Sequence, residues 1–369
     1  MAVPRKSRTR SVGPRTSPDG DVRRVAGLVS VVIPALNAEA TIESCVRALL
    51  RQTLPCDRYE ILVVDDGSRD RTAIVAERAG ARVVRLPRTG GPGGARNAGI
   101  RAAGGEVIVF TDADCEPTPG FLEALVAPLA DPAVGGSKGA YLSRQSALVG
   151  RFVQIEYEDR YRREAASQWL DLAETYAVCY RRPDLERVGG FDARIRYVED
   201  QELSFRLSQA GVRILFVPEA RTYHQHAARL GSYLRKKYQI ARWKVAVLRR
   251  HPGKAVRDSH TPQALKFEML AACGTCVGAI TGPLLRWTGV GASTAWLPAL
   301  IGLALFLIMS LPFTMRAFAR DRTVGLVAPV ILFMRDLALV SGLAAGSLRA
   351  PSPPPEVLVG SQLGPSKPA

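Results

Sequence analysis

The sequence predicts an α/β domain with a largely parallel sheet and helices on both faces, followed by a C-terminal membrane region of about three helices. Between residues 29 and 110, short runs rich in Val and Ile alternate with segments whose apolar residues have helical spacing. Acidic residues and glycines cluster where these runs end. From about residue 268, three long apolar stretches follow. The first pattern predicts the sheet, the second a ligand site at its edge, and the third the membrane helices.

The positive charge of the chain is local rather than uniform. The 369 residues include 50 Lys and Arg against 34 Asp and Glu, a formal net charge of +16, and 47% of them are hydrophobic. This composition excludes a disordered or collagen-like protein. The excess lies in residues 1–24 and in residues 221–257, and the second stretch contains no acidic residue. Such a stretch favours an anionic partner, such as lipid headgroups or a phosphorylated substrate.

Composition also divides the chain into segments. Residues 1–27 are rich in Arg, Ser, Pro and Gly, so we expect a disordered basic arm that lacks the apolar centre of a signal peptide. Residues 28–257 form the α/β domain, which ends in the basic membrane-proximal stretch 221–257. Residues 258–348 form the membrane region, and residues 349–369 a disordered, Pro-rich tail.

The elements of the α/β domain follow one another in a regular order. The β-branched runs predict four strands, Val29–Pro34, Glu60–Val64, Arg82–Leu86 and Glu106–Phe110. The segments between them have helical spacing and predict three helices, Ala40–Arg51, Asp70–Ala79 and Ala95–Ala103. Because each strand is followed by a helix, the strands should run parallel, with their carboxyl ends at one edge of the sheet.

Three apolar stretches make up the membrane region: Met269–Trp287, Val290–Phe313 and Val324–Gly346. About 20 apolar residues span a bilayer, and the middle stretch fits this length best. The third carries Arg335 and Asp336 near its centre, so it either faces the interior of a helix bundle or lies at the membrane interface.

Loop charge predicts the orientation of these helices. The segment Met315–Arg322 holds three arginines and one aspartate and should be cytoplasmic, as should residues 221–257. If both segments are cytoplasmic, the chain must cross the membrane twice between them. A third crossing would then place the C-terminal tail, residues 349–369, outside. The six cysteines do not form the pattern of a disulfide framework, which favours a reducing environment for residues 28–257. We therefore expect a multi-pass protein of the cytoplasmic membrane, with its α/β domain in the cytosol.

Two segments combine a strand end with polar groups. In VVIPALNAE the first predicted strand ends at Pro34, and Asn37 and Glu39 follow; this could also be a simple strand-to-helix turn. In VVDDGSRD a buried strand delivers Asp65 and Asp66, whose carboxylates are able to accept hydrogen bonds from a base or a ribose.

Two further segments carry acids next to glycine. The run GGPGGARNAG precedes a strand that ends in Thr111-Asp112-Ala113-Asp114. Two carboxylates on one side of an extended chain suit Mg²⁺ or Mn²⁺ bound with a diphosphate, although Asp-x-Asp also occurs in turns. The second segment, Glu199-Asp200, opens a helix, where an ionised carboxylate is stabilised and is available as a base; matching of the helix dipole alone would also explain it.

Together, the blocks VVIPALNAE, VVDDGSRD, GGPGGARNAGIRAAGGEVIVFTDADCEPTPGF and RVGGFDARIRYVEDQELSFRLSQAG resemble the inverting nucleotide-sugar glycosyltransferases of family 2. The resemblance covers about residues 28–245. It implies the GT-A fold, a Rossmann-like α/β/α sandwich, for the catalytic domain. It also implies a nucleotide-sugar donor, most often a UDP-sugar, and a divalent metal.

The resemblance implies roles for single residues. The nucleotide base and ribose would be held by Asp66 with Pro34, Ala35 and Glu39. Asp112 and Asp114 match the metal-binding Asp-x-Asp motif, with Asp114 as the direct ligand and Asp112 also near the donor. The remaining roles are those of Arg96 beside the nucleotide-sugar and of Asp200, in the motif Glu199-Asp200, as catalytic base.

Two more matches follow along the chain. His224 or His226 resembles a histidine that approaches the metal or phosphate in some members, although a lone histidine is more often structural. Gln239, Arg242 and Trp243 formally match the QxxRW motif, whose Arg and Trp help to hold acceptor and diphosphate in processive polysaccharide synthases. The match falls in a basic amphipathic stretch, where Arg and Trp also occur by chance.

The resulting hypothesis is a glycosyltransferase that moves a sugar to a lipid-linked or saccharide acceptor at the cytoplasmic membrane face. Anionic lipids would be further partners of residues 221–257. Three alternatives stay open: a processive polysaccharide synthase, a non-catalytic membrane scaffold with the GT-A fold, and a nucleic-acid-binding protein. The last leaves the acidic motifs and the apolar C-terminal stretches unexplained, so we expect no nucleic acid as partner.

Overall fold

A computed structural model describes residues 27–349, except residues 88, 257–260 and 290, and also residue 351. The disordered arm predicted for residues 1–27 and the tail predicted for residues 349–369 therefore lie almost entirely outside the described residues.

A mixed sheet forms the centre of the N-terminal domain. Its strands in the described residues are β1 (Val29–Ala35), β2 (Tyr59–Asp65), β3 (Arg82–Arg85), β4 (Val107–Phe110), β5 (Cys115–Pro117), β6 (Gly136–Leu142), β7 (Val178–Arg181) and β8 (Ile214–His224). Their order across the sheet is β3-β2-β1-β4-β7-β6-β8-β5. The four strands predicted from the sequence are β1 to β4, and they lie side by side in parallel.

The other half of the sheet is mixed, with parallel and antiparallel pairs. β7 pairs antiparallel with β4 and with β6, β6 pairs parallel with β8, and β5 pairs antiparallel with β8. The expectation of a largely parallel sheet thus holds for the half built from alternating strands and helices. It fails beyond β4: helices still lie between β5, β6, β7 and β8, but β7 and β5 run antiparallel to the strands beside them.

Helices cover both faces of the sheet. In chain order they are α1 (Ile42–Leu49), α2 (Thr72–Arg78), α3 (Gly91–Ala102), α4 (Phe121–Val126), α5 (Leu148–Ala165), α6 (Arg182–Arg187), α7 (Glu199–Gln209), α8 (Leu230–Arg250) and α9 (Gly253–Val256). Alternating residues of β1 divide the core: Val31 and Ile33 belong to the cluster that contains α1, and Val32 to the one that contains α3. A Cβ at Gly99 of α3 would lie 2.2 Å from Cγ1 of Val32, so only glycine allows this close approach.

Three long apolar helices follow the α/β domain: α10 (Gln263–Trp287), α11 (Ala292–Arg320) and α12 (Arg322–Leu348). Each is long and apolar enough to cross a membrane. α10 and α11 form an antiparallel hairpin in which Gly278 approaches Ala299, and α12 packs along α8. These helices extend the three apolar stretches predicted from the sequence.

Candidate active site

The carboxyl ends of β1 and β2 form one edge of the site. Ala35 lies opposite Asp65 in the parallel register, and the N–H of Asp66 donates to the carbonyl of Ala35 at 2.8 Å. Pro34 pairs with Val64 one position earlier. The structure therefore brings Pro34, Ala35 and Asp66 together at the edge where ligands of such sheets bind.

Glu39 lies in the loop after β1, and its carboxylate is already engaged. It accepts hydrogen bonds from the backbone N–H of Arg71 at 3.0 Å and from Nε of Arg71 at 2.7 Å. In the same loop Asn37 has a φ of 51° and accepts a hydrogen bond from the N–H of Arg69 at 2.9 Å. Glu39 thus joins the loop after β1 to the loop after β2, next to the carboxyl ends of these strands.

Asp66 is buried beneath the glycine run. Its carboxylate accepts a hydrogen bond of 2.7 Å from the N–H of Gly90. Burial raises the pKa of Asp66 to about 6, although the amides of Gly90 and Gly91 oppose this shift. The sequence predicts a loop for this run, ahead of a helix. In the structure the run forms the first turn of α3, which begins at Gly91, and the amide of Gly90 just before it is bound to Asp66.

Asp112 and Asp114 follow β4, and the pairing of β5 with β8 brings His224 to them. Cys115 lies opposite His224 in this antiparallel pair, and Nδ1 of His224 is 3.4 Å from a carboxylate oxygen of Asp114. Asp114, Cys115 and His224 each offer a ligand atom within 4.8 Å of the others. In the described part of the chain, Nδ1 of His224 is buried without a hydrogen-bond partner. Asp114 and His224 therefore fit a divalent metal.

His226 lies beside His224, with its ring centroid 5.1 Å away, but its ring nitrogen has a different partner. Its Nε2 is 2.9 Å from Oε1 of Gln154, and its ring stacks on Tyr157 at 5.3 Å. Burial lowers the pKa of His226 to about 3, so the ring is neutral. Within the described residues it does not belong to the group that could hold a metal. The structure thus gives His226 a packing role next to His224, because Gln154 and Tyr157 hold its ring.

Arg96 joins the two acidic motifs. It is 4% exposed on α3, and its guanidinium donates to Glu199 at 2.6 Å and to Asp112 at 3.0 Å. The sequence predicted Arg96 beside the nucleotide-sugar; the structure fixes it between two carboxylates. Asp112 is consequently held by Arg96, which leaves Asp114 as the freer carboxylate of the pair.

Glu199 and Asp200 occupy the first turn of α7 in different environments. Glu199 is buried and bound to Arg96, whereas Asp200 is half-buried and accepts a hydrogen bond from the N–H of Gln201 at 2.8 Å. Burial, together with the negative charge of Glu199, raises the pKa of Asp200 to about 7. Val198, just before them, has a φ of 60°, a left-handed conformation that is strained for a β-branched residue. This backbone turn sets the direction in which Asp200 leaves the helix.

Of the predicted QxxRW residues on α8, Trp243 belongs to a cluster that packs against Val198, next to the motif Glu199-Asp200. Trp243 is 7% exposed and belongs to a small core cluster with Phe205 and Val247. A Cβ on Gly346 of α12 would lie 2.4 Å from the carbonyl of Arg242. The backbone of Arg242 therefore lies directly against α12. Gln239 lies half-buried on the same helix. These contacts are those of a packed helix.

Lys236 is a site residue that belongs to none of the sequence motifs. The phenol of Tyr157 and the carboxylates of Asp112, Asp114 and Asp200 raise the pKa of the Lys236 ammonium. The only sequence signal for it was its position in the basic stretch 221–257.

A cavity of about 660 Å³ opens beside this lysine. It is lined by Tyr197, Arg229, Gly231, Ser232, Arg235 and Lys236. Three of these side chains are cationic and none is acidic, so the cavity favours an anionic ligand.

Comparisons with known proteins agree with this arrangement. Residues 30–186 match the family described as Glycosyl transferase family 2. The chain is 28% identical over 259 residues to the Pre-mycofactocin glycosyltransferase of Mycobacterium tuberculosis (strain CDC 1551 / Oshkosh), covering 68% of this chain and 54% of that protein. The chain thus spans about half the length of this relative. It is 30% identical over 236 residues to the Uncharacterized glycosyltransferase EpsJ of Bacillus subtilis (strain 168), covering 58% of this chain and 68% of that protein.

One solved structure supports the fold. It is the Mannosyltransferase PcManGT from Pyrobaculum calidifontis in complex with GDP-Man and Mn²⁺, with a TM-score of 0.55, 21% identity and coverage of 87% of each chain. The predicted fold class is confirmed: a GT-A-type α/β domain is followed by three long apolar helices.

Proposed function

Because this chain belongs to glycosyl transferase family 2, we propose that it moves a sugar from a nucleoside diphosphate to a membrane-associated acceptor, with inversion at the anomeric carbon. One observation carries the proposal. Asp200 is a half-buried carboxylate with a pKa of about 7, and in the described part of the chain no cation pairs with it, while Lys236 and Asp114 face the same site. A base, a cationic group and a carboxylate for metal are the components that this reaction needs.

Asp200 is the proposed general base. Its carboxylate takes the proton from the acceptor hydroxyl as the hydroxyl oxygen attacks the anomeric carbon, and the bond to the diphosphate oxygen breaks on the opposite side. The raised pKa strengthens it as a base near neutral pH. We assign Glu199 a different role from the catalytic one expected from the sequence: its carboxylate orients Arg96 and, through its charge, raises the pKa of Asp200.

The leaving diphosphate needs compensation for its growing negative charge. Asp114 and His224 are the residues that would hold Mg²⁺ or Mn²⁺, with Asp112 beside them on Arg96. When bound, such a metal supplies Lewis-acid stabilisation of the diphosphate. Lys236 contributes a positive charge from this chain itself: it lines the cavity, and the carboxylates of Asp112, Asp114 and Asp200 raise its pKa.

The donor is proposed to be a nucleoside-diphosphate-sugar, with its nucleotide at the edge formed by Pro34, Ala35 and Asp66. The mannosyltransferase from Pyrobaculum calidifontis is in complex with GDP-Man and Mn²⁺, which supports this donor class and a divalent metal. The resemblance to the family favours a UDP-sugar among the nucleotides. Glu39 would act by holding the loops around the nucleotide rather than as a free ligand.

The acceptor is proposed to carry phosphate and a lipid. The cavity beside Lys236 is lined by Arg229 and Arg235 without an acidic residue, and three helices of the same chain are apolar enough to cross a membrane. An acceptor anchored in the membrane would present its polar end to this cavity. The site would then lie at the cytoplasmic face, where basic residues favour anionic lipids.

The alternatives receive less support. A processive synthase would use Trp243 and Arg242 at the acceptor, but Trp243 packs in the core and the backbone of Arg242 lies against α12. A scaffold with this fold has no use for a strained turn that positions a base with a raised pKa.

The proposal is tested with the full chain in lipid. Asp200→Asn should lower the transfer rate by a factor of about 10²–10⁴ while the affinity for the nucleoside diphosphate stays near that of the unaltered protein. The anomeric configuration of the product, read by NMR, should be opposite to that of the donor. Asp57→Asn is the matched control, since Asp57 is exposed at the other end of β2. A retained rate in Asp200→Asn, or a retained anomeric configuration, would remove the proposed mechanism.

A further inference from the structure

The last apolar helix, α12, contacts the α/β domain at its start, in its middle and near its end. At its start Asp321 pairs with Arg151 of α5 at 2.5 Å. In its middle Arg335 pairs with Glu156 of α5 at 3.2 Å. Near its end the carbonyl of Ser347 accepts a hydrogen bond of 3.0 Å from Arg249 of α8.

The second half of α12 lies directly against α8. A Cβ on Gly342 would lie 2.3 Å from the carbonyl of Tyr238, and a Cβ on Gly346 would lie 2.4 Å from that of Arg242. The two glycines therefore let the helix backbones touch. α8 carries seven basic residues and packs its other side on the α/β domain through Trp243. This half of α12 must therefore lie at the same depth relative to the membrane as the basic helix α8.

These contacts conflict with a membrane crossing by α12. A helix of 27 residues is about 40 Å long, and the hydrocarbon core of a bilayer is about 30 Å thick. A crossing helix would leave its two ends on opposite sides of the membrane. Both ends of α12, and its middle, contact the same water-exposed domain.

The outer face of α12 is nonetheless suited to lipid. Between Arg322 and Arg349 its only charged residues are Arg335 and Asp336, and both are buried. Arg335 also pairs with Glu268 at the base of α10, at 2.8 Å. The outward residues include Leu326, Val330 and Met334, which are 73%, 62% and 37% exposed. One side of the helix therefore carries all its polar contacts and the other is apolar.

The α10–α11 hairpin has a different character. Beyond Glu268 most large apolar side chains are exposed on both helices, although Phe306 packs on Phe333 of α12, and Gly278 packs against Ala299 between the two helices. From Glu268 to Trp287 the helix α10 has 20 residues, or about 30 Å, which equals the thickness of the hydrocarbon core. The hairpin thus has the length and surface of a membrane insertion.

We propose that only α10 and α11 cross the membrane, whereas α12 lies flat between the α/β domain and the lipid of one leaflet, with Leu326, Val330 and Met334 in that leaflet. The C-terminal end of the chain then lies on the same side as the α/β domain. This differs from the orientation expected from the sequence, which placed the tail outside after a third crossing. The inference concerns membrane topology and does not depend on the proposed transferase activity.

Cysteine accessibility tests the proposed topology in membranes from an expression host. The background is Cys56→Ser with Cys273→Ala and Cys276→Ala, because the other three cysteines are buried. Two single reporters are added to this background: Thr288→Cys at the hairpin turn and Leu348→Cys at the end of α12. In a third protein only Cys273 and Cys276 are replaced, and the native Cys56 is the reference for the α/β domain. An impermeant maleimide should label the Thr288 reporter in spheroplasts, and the Leu348 reporter and Cys56 only in inside-out vesicles. Labelling of the Leu348 reporter together with the Thr288 reporter would overturn the proposal, as would labelling of the Thr288 reporter together with Cys56.

Fluorescence quenching tests the depth of α12. A fluorophore on Val330→Cys should be quenched most by lipids with a nitroxide near the headgroup. The matched control is Leu300→Cys, which lies about 12 Å from the start of α11 and so near the middle of the proposed crossing; it is 58% exposed and should be quenched most by a nitroxide at the chain end. Quenching of the Val330 reporter in the same order as the Leu300 reporter would overturn the flat orientation. Neither measurement requires an active enzyme, so its result is separable from failure of the proposed function.

Discussion

Arg96 donates a 2.6 Å hydrogen bond to Glu199 and so joins α3 to α7 across 103 residues of sequence. The same guanidinium lies 3.0 Å from Asp112. One buried cation thus fixes the proposed metal-binding motif relative to the motif that contains the proposed base. In the described part of the chain Asp200, the neighbour of Glu199, has no such cation, and this difference separates the roles of two adjacent carboxylates.

The pH dependence of transfer should report Asp200. Its pKa is raised to about 7 by burial and by the charge of Glu199, and only the ionised form accepts a proton, so the rate should rise with pH through about 7. Glu199→Gln removes the neighbouring negative charge and should lower the pKa of Asp200, which moves the rising limb to lower pH. The pH profiles of kcat/KM for both proteins measure this. A profile of Glu199→Gln that is unshifted, or shifted upward, would contradict the assignment.

The two histidines should respond differently to removal. His224→Ala should weaken Mn²⁺ binding in the presence of a nucleoside diphosphate by about 10-fold or more, because His224 and Asp114 offer ligand atoms. His226→Ala is the matched control and should leave Mn²⁺ affinity unchanged while lowering Tm, because that ring stacks on Tyr157. Isothermal titration and thermal unfolding measure the two effects. Equal losses of Mn²⁺ affinity in both variants would contradict the proposed site.

Lys236 should matter for turnover more than another lysine of α8. A charge-assisted contact to phosphate contributes about 1.5–3 kcal/mol, so Lys236→Ala should lower kcat/KM by about 10- to 100-fold. Lys244→Ala is the control, since Lys244 instead donates to Thr261 at 2.9 Å. Steady-state kinetics with a nucleotide-sugar and a lipid-phosphate acceptor compare the two. If Lys244→Ala has the larger effect, the charge of Lys236 is not the one that faces substrate.

Trp243 should behave as a core residue. Trp243→Ala should lower the free energy of unfolding by about 3–5 kcal/mol, because the indole fills a buried cluster with Phe205 and Val247. Trp243→Phe should keep KM for the acceptor close to that of the unaltered protein. Denaturant unfolding and kinetics in parallel separate stability from binding. A large rise in acceptor KM for Trp243→Phe at unchanged stability would restore the acceptor role that the QxxRW match suggested.

Local pattern was sufficient for the first half of the domain. The strands β1 to β4 and the helices between them were predicted because β-branched runs and helical spacing are properties of contiguous sequence. The edge that gathers Pro34, Ala35 and Asp66 followed as well, since the carboxyl ends of parallel strands must meet. The predicted bounds of α3 differ from the observed ones because glycines before Ala95 are typical of a loop, whereas Gly91 begins the helix.

Sequence alone did not decide which of several nearby candidate site residues reaches the site, because this depends on contacts between distant parts of the chain. His224 reaches Asp114 because β5 pairs antiparallel with β8, a contact between segments more than 100 residues apart. On α8, Lys236 and Trp243 lie on one face but about 10 Å apart along the axis, so one reaches the site and the other the core. No local pattern specifies how far a helix is displaced along its axis relative to a distant strand.

By itself, the sequence determined the fold class, the family and the order of the acidic motifs, because these depend on residues close together in the chain. Only the tertiary structure decided that Arg96 holds Glu199 and Asp112, that the ring nitrogen of His226 is bound to Gln154, and that α12 rests on α8 and α5. Hydropathy describes how apolar a helix is, but not which protein surface holds its charged residues. The ion pair between Arg335 and Glu156 is a contact between residues 179 positions apart, and it bears on whether a third apolar stretch enters the membrane.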